Sequence, residues 1–376
     1  MIEADIAIVG GGIAGASAAA HLAPHRRVVL LEQEDQPGYH ASGRSAALFT
    51  ETYGNAVVRA LTVASRPFLS APPEGFAEHP LLTPRGVLHI GGEGDLPALA
   101  SLHAETSALV PGVRLLDAEQ ARRLVPALRE DWLHGGVLEP DAQDIDTHGC
   151  LQGFLRVART HGAQVLPRAE VTGLERRDGR WQIRSRAGEV RAEIVINAAG
   201  AWADTVAGLA GVARRGIVPK RRTAFLFAPP EGVSAREWPM VIGPGEAFYF
   251  KPDAGMILGS PADETPSEPM DAQPDELDVA IAVDRIQQVA DLPIRRIARR
   301  WAGLRSFAPD KTPVVGFDPD AAGFFWLAGQ GGYGFHTAPA LAAVTAGLIV
   351  RGTMPEPIAD LGVTEAQLAP GRLPAL

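Results

Sequence analysis

The chain has 376 residues, a formal net charge of −9 from 35 Lys+Arg against 44 Asp+Glu, and 46% hydrophobic residues. That length allows two domains of ordinary size, and an acidic balance without a strongly basic segment argues against a nucleic-acid partner. The single cysteine, Cys150, excludes an internal disulfide, suits a reducing compartment and reads as a small buried hydrophobe rather than a nucleophile.

The chain opens with Glu3 and Asp5 rather than Lys or Arg ahead of its first apolar run, so no secretory signal is expected. The apolar run ends in Gly10-Gly11-Gly12-Ile13-Ala14-Gly15, and an alanine-rich stretch follows. This is the fingerprint of a strand, a tight turn and a helix that holds a dinucleotide pyrophosphate. Gly10 permits the turn, Gly12 admits the phosphates, and Gly15 lets the helix pack close to the strand. The phosphates then rest on the helix N-terminus, where free N–H groups and the dipole favour negative charge. Pro24 ends the helix, residues 28–31 form the second strand, and Glu32 closes it where an acid accepts the ribose hydroxyls. A glycine-rich turn in another α/β fold is the competing reading. The early position favours FAD without excluding NAD.

The turn-rich loop of residues 36–45 is expected to open a helix near Ser45. Residues 84–142 read as an inserted mixed segment, with a helix starting at residues 116–120 behind an acid. Residues 147–161 have helical spacing. Strands are expected at 171–177 and 181–185, joined through the hairpin turn Asp178-Gly179. A third strand, 190–196, ends in Asn197-Ala198-Ala199-Gly200-Ala201-Trp202. Those small residues suggest close approach of backbone to a ligand, with a plain strand-to-helix turn as the alternative. Beyond Lys220, strands are expected at 223–227, 247–251 and 256–259, the last two joined by Pro252-Asp253-Ala254-Gly255. Residues 274–291 read as an amphipathic helix with Leu277, Ile281 and Ile286 on its apolar face. A strand at 323–329 leads into Gln330-Gly331-Gly332-Tyr333-Gly334 and an alanine-rich helix from near Thr337. Two glycine loops at opposite ends of the chain suggest one ligand held by both termini. No apolar stretch approaches the ~20 residues that cross a bilayer. The expected location is cytoplasmic, with peripheral contact to the inner membrane left open.

The ordered set resembles a known family. It comprises Gly10 to Gly15, Gly43-Arg44-Ser45, Asn197 to Trp202, Trp301-Ala302-Gly303-Leu304-Arg305, Asp310 to Gly316 and Gly329 to Gly334. It is similar, over almost the whole chain, to the D-amino-acid oxidase-type FAD oxidoreductases, which include glycine oxidase, sarcosine oxidase and D-amino-acid dehydrogenases. Within the family, residues 36–40, Pro219-Lys220-Arg221-Arg222 and residues 249–256 carry a closer likeness to bacterial D-arginine dehydrogenase. The resemblance implies an α/β fold. A Rossmann-like FAD-binding domain is assembled from residues 1–83, 143–220 and 305–376. A mixed-sheet α+β substrate domain comes from 84–142 and 221–304. It implies non-covalent FAD, since no cysteine lies near the C-terminal glycine loop. Implied cofactor contacts are Gly10, Gly12, Ile13, Ala14, Gly15, Glu32 and Gln33, then Gly43, Arg44, Ser45, Ala47 and Val171. Ala199, Gly200, Trp202, Gly303, Arg305, Gly331, Gly332, Tyr333 and Gly334 complete that set.

The implied substrate is an amino acid, bound by its carboxylate. Arginine supplies the bidentate fork a semi-buried carboxylate needs, and Arg222 and Arg305 match the family's carboxylate binders, with Tyr249 adding a hydroxyl. Tyr53 is the candidate contact for the amine or side chain. Leu48, Val87, Gly332 and His336 complete the expected pocket. The expected reaction is hydride transfer from Cα to flavin N5, giving an imino acid that hydrolyses to a 2-oxo acid and ammonia. Where the D-arginine dehydrogenase pattern has a histidine, a glutamate and a glutamine, this chain has Leu48, Val87 and His336. Loss of the glutamate implies weak activity on D-arginine and a preference for apolar D-amino acids. His336 either contacts substrate or caps the helix start. Oxidation of a secondary amine or a 2-hydroxy acid is the alternative reaction, and a non-catalytic flavoprotein subunit is the alternative of another class. The likeness favours a quinone or other carrier as electron acceptor, and a monomer is the default assembly.

Overall fold

The computed structural model describes residues 1–376. Its organising layer is a six-stranded sheet in the order Gln164–Leu166, Val28–Leu31, Ile6–Val9, Ile194–Asn197, Phe324–Ala328, Val314–Phe317. The first five run parallel and the last is antiparallel at the edge. Ile6–Val9 and Val28–Leu31 are buried on both faces, so they read as continuous apolar runs rather than alternating ones. The helices Ile13–Leu22, Thr147–Thr160 and Gly334–Ala346 share one core with the sheet. The other face packs against the strands Val171–Arg177, Arg180–Ser185 and Gly188–Ala192 and the short helix Ala203–Leu209.

A separate eight-stranded sheet begins at its edge with Arg299–Phe307, followed by Val218–Phe227, Met256–Ser260, Tyr249–Asp253, Met240–Ile242, Val87–Gly91, Gly135–Glu139 and Arg114–Asp117. One face is covered by the helices Ala118–Leu124 and Glu276–Val289 over a core of its own. The opposite face carries the small cluster of Val87, Met240, Tyr249, Leu258 and Ala224, with Leu48 packed against it. No helix is long and apolar enough to cross a membrane. Cys150 is fully buried in the first core, and burial pushes its thiol up to about 12, so it packs as a hydrophobe.

Several expected elements stand as read, including the Asp178-Gly179 turn, where both residues have positive φ. Four differ. No helix opens at Ser45: residues 41–44 form a single tight turn, and the helix Ala56–Ser70 waits for Asn55, whose side chain accepts from Val58 N at 3.0 Å. The segment between is pinned elsewhere, Ser42 by Ile13 N and Arg44 by the carbonyls of Ala272 and Ala302. The expected strand 190–196 is two strands in different sheets, because the N–H groups of Glu193 and Ile194 both turn to Asp5 O at 3.1 Å. Leu277 is 67% exposed. The buried stripe is Val279, Ala282, Ile286 and Val289, whose steps of three and four hold one helix face, whereas the step from Ile281 to Ile286 leaves it. The last long helix starts at Gly334, not near Thr337.

Candidate active site

A cavity of about 450 Å³ runs from the first glycine turn to the face of the eight-stranded sheet opposite its helices. At its first end the backbone makes the walls. Gly10 has φ +108°, and a Cβ there would overlap the Ala198 carbonyl oxygen. A Cβ on Gly15 would overlap Gly10 O, so a larger residue would lift the helix off the strand. Gly12 is the helix N-cap and offers no side-chain acceptor. Ile13 N donates to Ser42 Oγ at 2.9 Å. Glu32 is 7% exposed and accepts from Gly11 N at 2.8 Å and Glu34 N at 2.9 Å. Burial pushes its carboxyl upward, and those two backbone donors pull it back.

The middle of the cavity joins the two sheets. Gln33, Ser45, Ala47, Val171, Ala199, Gly200 and Trp202 line it. Arg44 donates to Ala302 O at 2.9 Å and pairs with Asp271, while Trp301 Nε1 donates to Arg44 O at 3.0 Å. Gly303 faces that arginine, since a Cβ there would stand 3.4 Å from Arg44 Cβ. Gly43 lies behind the wall, where a Cβ would stand 2.5 Å from Gly38 O.

Side chains make the other end. In the antiparallel pair of Val218–Phe227 with Arg299–Phe307, Arg222 lies opposite Gly303 and Lys220 opposite Arg305. Residues two apart share a face of a strand, so the register puts Arg222 and Arg305 on one face as diagonal neighbours. Both line the cavity with Tyr249. Arg222 donates through Nε to Asp263 O at 2.9 Å and through Nη2 to Glu264 Oε1 at 3.2 Å. Burial, then the neighbouring Arg305 charge, lowers the Arg222 guanidinium from its ordinary value. Two half-buried like charges facing one cavity call for an anion.

The second glycine loop closes over this pair. Gly331 N donates to Ser306 O at 2.8 Å, and a Cβ on Gly332 would stand 3.0 Å from Arg305 Nη1 and 3.2 Å from Tyr53 Oη. Arg305 Nη1 and Tyr53 Oη are 3.5 Å apart. Leu48, Gly332, Gly334 and His336 line the cavity. Tyr333 is buried beside Tyr53, with ring centroids 5.2 Å apart. Val87 stands in the apolar cluster with Tyr249 and Leu48, behind the cavity surface. His336 does not cap its helix: neither ring nitrogen has a hydrogen-bond partner.

Five residues of the site escape sequence reasoning. Ser42 meets the first helix, and Glu264 is the counter-ion of Arg222 and Lys220. Ser306 Oγ and Gln330 Nε2 are buried, unpartnered and on the cavity wall. Glu139 lies opposite Val87 on the adjoining strand, 6% exposed, and its carboxylate accepts from Thr50 and Thr52 at 2.6–2.9 Å. Only the hairpin-like position of Glu139 at a strand end carries a sequence signal; the other four depend on contacts between distant segments.

A family model described as FAD dependent oxidoreductase matches residues 5–348. The chain is 27% identical over 252 residues to the hydrogen cyanide synthase subunit HcnC of Pseudomonas aeruginosa, across 66% of this chain and 58% of that protein. It therefore spans little more than half the length of that relative. It is 24% identical over 362 residues to glycine oxidase of Geobacillus kaustophilus, across 92% of this chain and 93% of that protein. Among solved structures it is similar to L-proline dehydrogenase from P. horikoshii, with a TM-score of 0.81 and 22% identity, over 99% of this chain and 98% of that one. The cavity fits the cofactor that the family model names. The glycine cradle and the helix N-terminus suit a pyrophosphate, Glu32 suits a ribose, and the orphaned Ser306 Oγ and Gln330 Nε2 await polar ring atoms.

Proposed function

The chain belongs to the FAD dependent oxidoreductase family, and from that premise we propose that it oxidises an α-amino acid at the carbon bearing the amine, with apolar D-amino acids as the preferred class. The observation that carries this reading is the convergence of Arg222, Arg305 and Tyr249 on one end of the cavity. Two guanidiniums offer planar donors to a carboxylate, and Glu264 meets only part of their charge. Tyr53, against Arg305, closes the same corner. Bound FAD supplies the two-electron acceptor for the Cα hydride. The arginine pair and Tyr249 hold the carboxylate and so fix where Cα sits. The Gly334–Ala346 helix points its N-terminus into the cavity, where its dipole would favour negative charge on a bound flavin. Loss of hydride and an amine proton leaves an imino acid, and water then gives a 2-oxo acid and ammonia.

Leu48, Ala46 and Ala224 make the cavity wall apolar beside the clamp. Glu139 is already engaged by two threonine hydroxyls, so it offers little to a guanidinium. The D configuration rests on the resemblance of residues 36–40, 219–222 and 249–256 to D-arginine dehydrogenase. The likeness to glycine oxidase supports amine oxidation beside a carboxylate, and oxidation of a secondary amine is the second reading. A quinone or other carrier is the proposed acceptor.

Turnover with an artificial electron acceptor tests this. D-leucine, D-methionine, D-phenylalanine and D-valine should each yield one 2-oxo acid and one ammonia per two electrons accepted, with D-arginine slow. Turnover confined to sarcosine, or to 2-hydroxyisocaproate, would replace the reading with secondary-amine or hydroxy-acid oxidation.

A further inference from the structure

His336 has no task in the reaction set out above. It is the third residue of the Gly334–Ala346 helix, 2% exposed, and lines the cavity. Both ring nitrogens are buried without a partner, and an unmet buried polar group is destabilising. The groups around it are Tyr333, stacked at 6.1 Å and 19°, Tyr53 at 6.2 Å and the edge of Phe49 at 6.5 Å. Arg305 is the charged group that acts on it, and no carboxylate does. Burial, then Arg305, pushes its pKa down to about 3, so at neutral pH the ring has one N–H and one free lone pair.

The clamp beside it is rich in donors: Arg222, Arg305, Tyr249 and Tyr53. An α-amino acid brings acceptors in its carboxylate and donors in its ammonium group. The carboxylate is met by the clamp; the ammonium needs an acceptor one carbon further on. We propose that His336 is a substrate-binding group that accepts a hydrogen bond from the α-ammonium through its unengaged ring nitrogen, so that the site recognises an amine next to a carboxylate. The assignment rests on the amino-acid reading of the cavity.

The test uses oxidised holoprotein and calorimetry with two ligands that differ only in the amine. 2-Aminoisobutyrate has no Cα hydrogen and cannot lose a hydride; isobutyrate lacks the amine. The unaltered protein should bind 2-aminoisobutyrate about tenfold more tightly, the scale of one charge-assisted hydrogen bond. His336→Leu should erase that preference and leave isobutyrate binding within about twofold. His336→Gln, whose amide oxygen accepts, should restore part of it. If the variants fold poorly, ¹⁵N-histidine spectra of the unaltered holoprotein serve instead: 2-aminoisobutyrate should move one ring-nitrogen resonance that isobutyrate leaves in place. Equal binding of both ligands, or a preference that survives His336→Leu, overturns the role of His336 and leaves the carboxylate clamp standing. Binding of neither ligand by the unaltered protein overturns the amino-acid reading and this assignment with it.

Discussion

The two ends of the cavity are built from different materials. The dinucleotide end is mostly backbone: Gly10, Gly12 and Gly15 leave room for a turn and a helix N-terminus, and the side chains of Glu32 and Ser42 accept from its N–H groups. The substrate end is side chain: Arg222 and Arg305 from one strand pair, with Tyr53 from a loop behind Arg305, and His336 from a helix more than 300 positions after the first glycine turn. A backbone site tolerates no added atom and binds a whole class of cofactor. A side-chain site tolerates substitution and sets which molecule reacts. Damage at the first end should therefore remove the cofactor, and damage at the second should spare it and change catalysis.

The strongest way to break that contrast is Gly15→Val. The added carbons meet Gly10 O, and overpacking here should cost about 3 kcal/mol or more. Purified protein should lose most of its flavin absorbance; a fully yellow variant would show that the helix can retreat without harm. Next is Arg222→Leu. It should retain FAD while kcat/KM falls by about 10²–10³, since removing one partner of a buried charge pair costs roughly 2–5 kcal/mol. Loss of flavin with unchanged turnover per bound flavin would reverse the assignment of the two ends.

A smaller effect sharpens the substrate end. Val87→Glu should raise the D-arginine to D-leucine activity ratio by about tenfold, the order of one charge-assisted hydrogen bond. An unchanged ratio would mean that Val87, which lies behind the surface beside Tyr249 and Leu48, never meets the substrate side chain.

A further effect, confined to acid pH, is on stability. Burial lowers His89 to about 4, and burial with Arg305 lowers His336 to about 3, from 6.5. Between those values and 6.5 the unfolded chain binds protons that the native state refuses, so stability falls as pH drops through that window. Each histidine adds a slope of ~1.4 kcal/mol per pH unit. His336→Gln should flatten the acid limb of a urea-midpoint-against-pH curve by one such step, and an unchanged limb would show that the ring takes up its proton in the native state.

The backbone end was legible in the sequence because its constraint is local. Gly10, Gly12 and Gly15 lie within six positions, and Glu32 closes the next strand. The substrate end was legible only through family likeness, because the closeness of Arg222 and Arg305 is set by strand register. Ser42, Glu264, Ser306 and Gln330 stayed hidden for the same reason: their meaning lies in what distant segments bring against them. Leu277 misled because a leucine in the first helical turn fits an apolar list whether or not its face is covered.

The most direct test of the whole account is anaerobic addition of D-leucine and, separately, L-leucine to the purified yellow protein while following the flavin absorbance. The account predicts rapid bleaching by the D form alone. Bleaching by neither, with sarcosine or a 2-hydroxy acid active in its place, would contradict it.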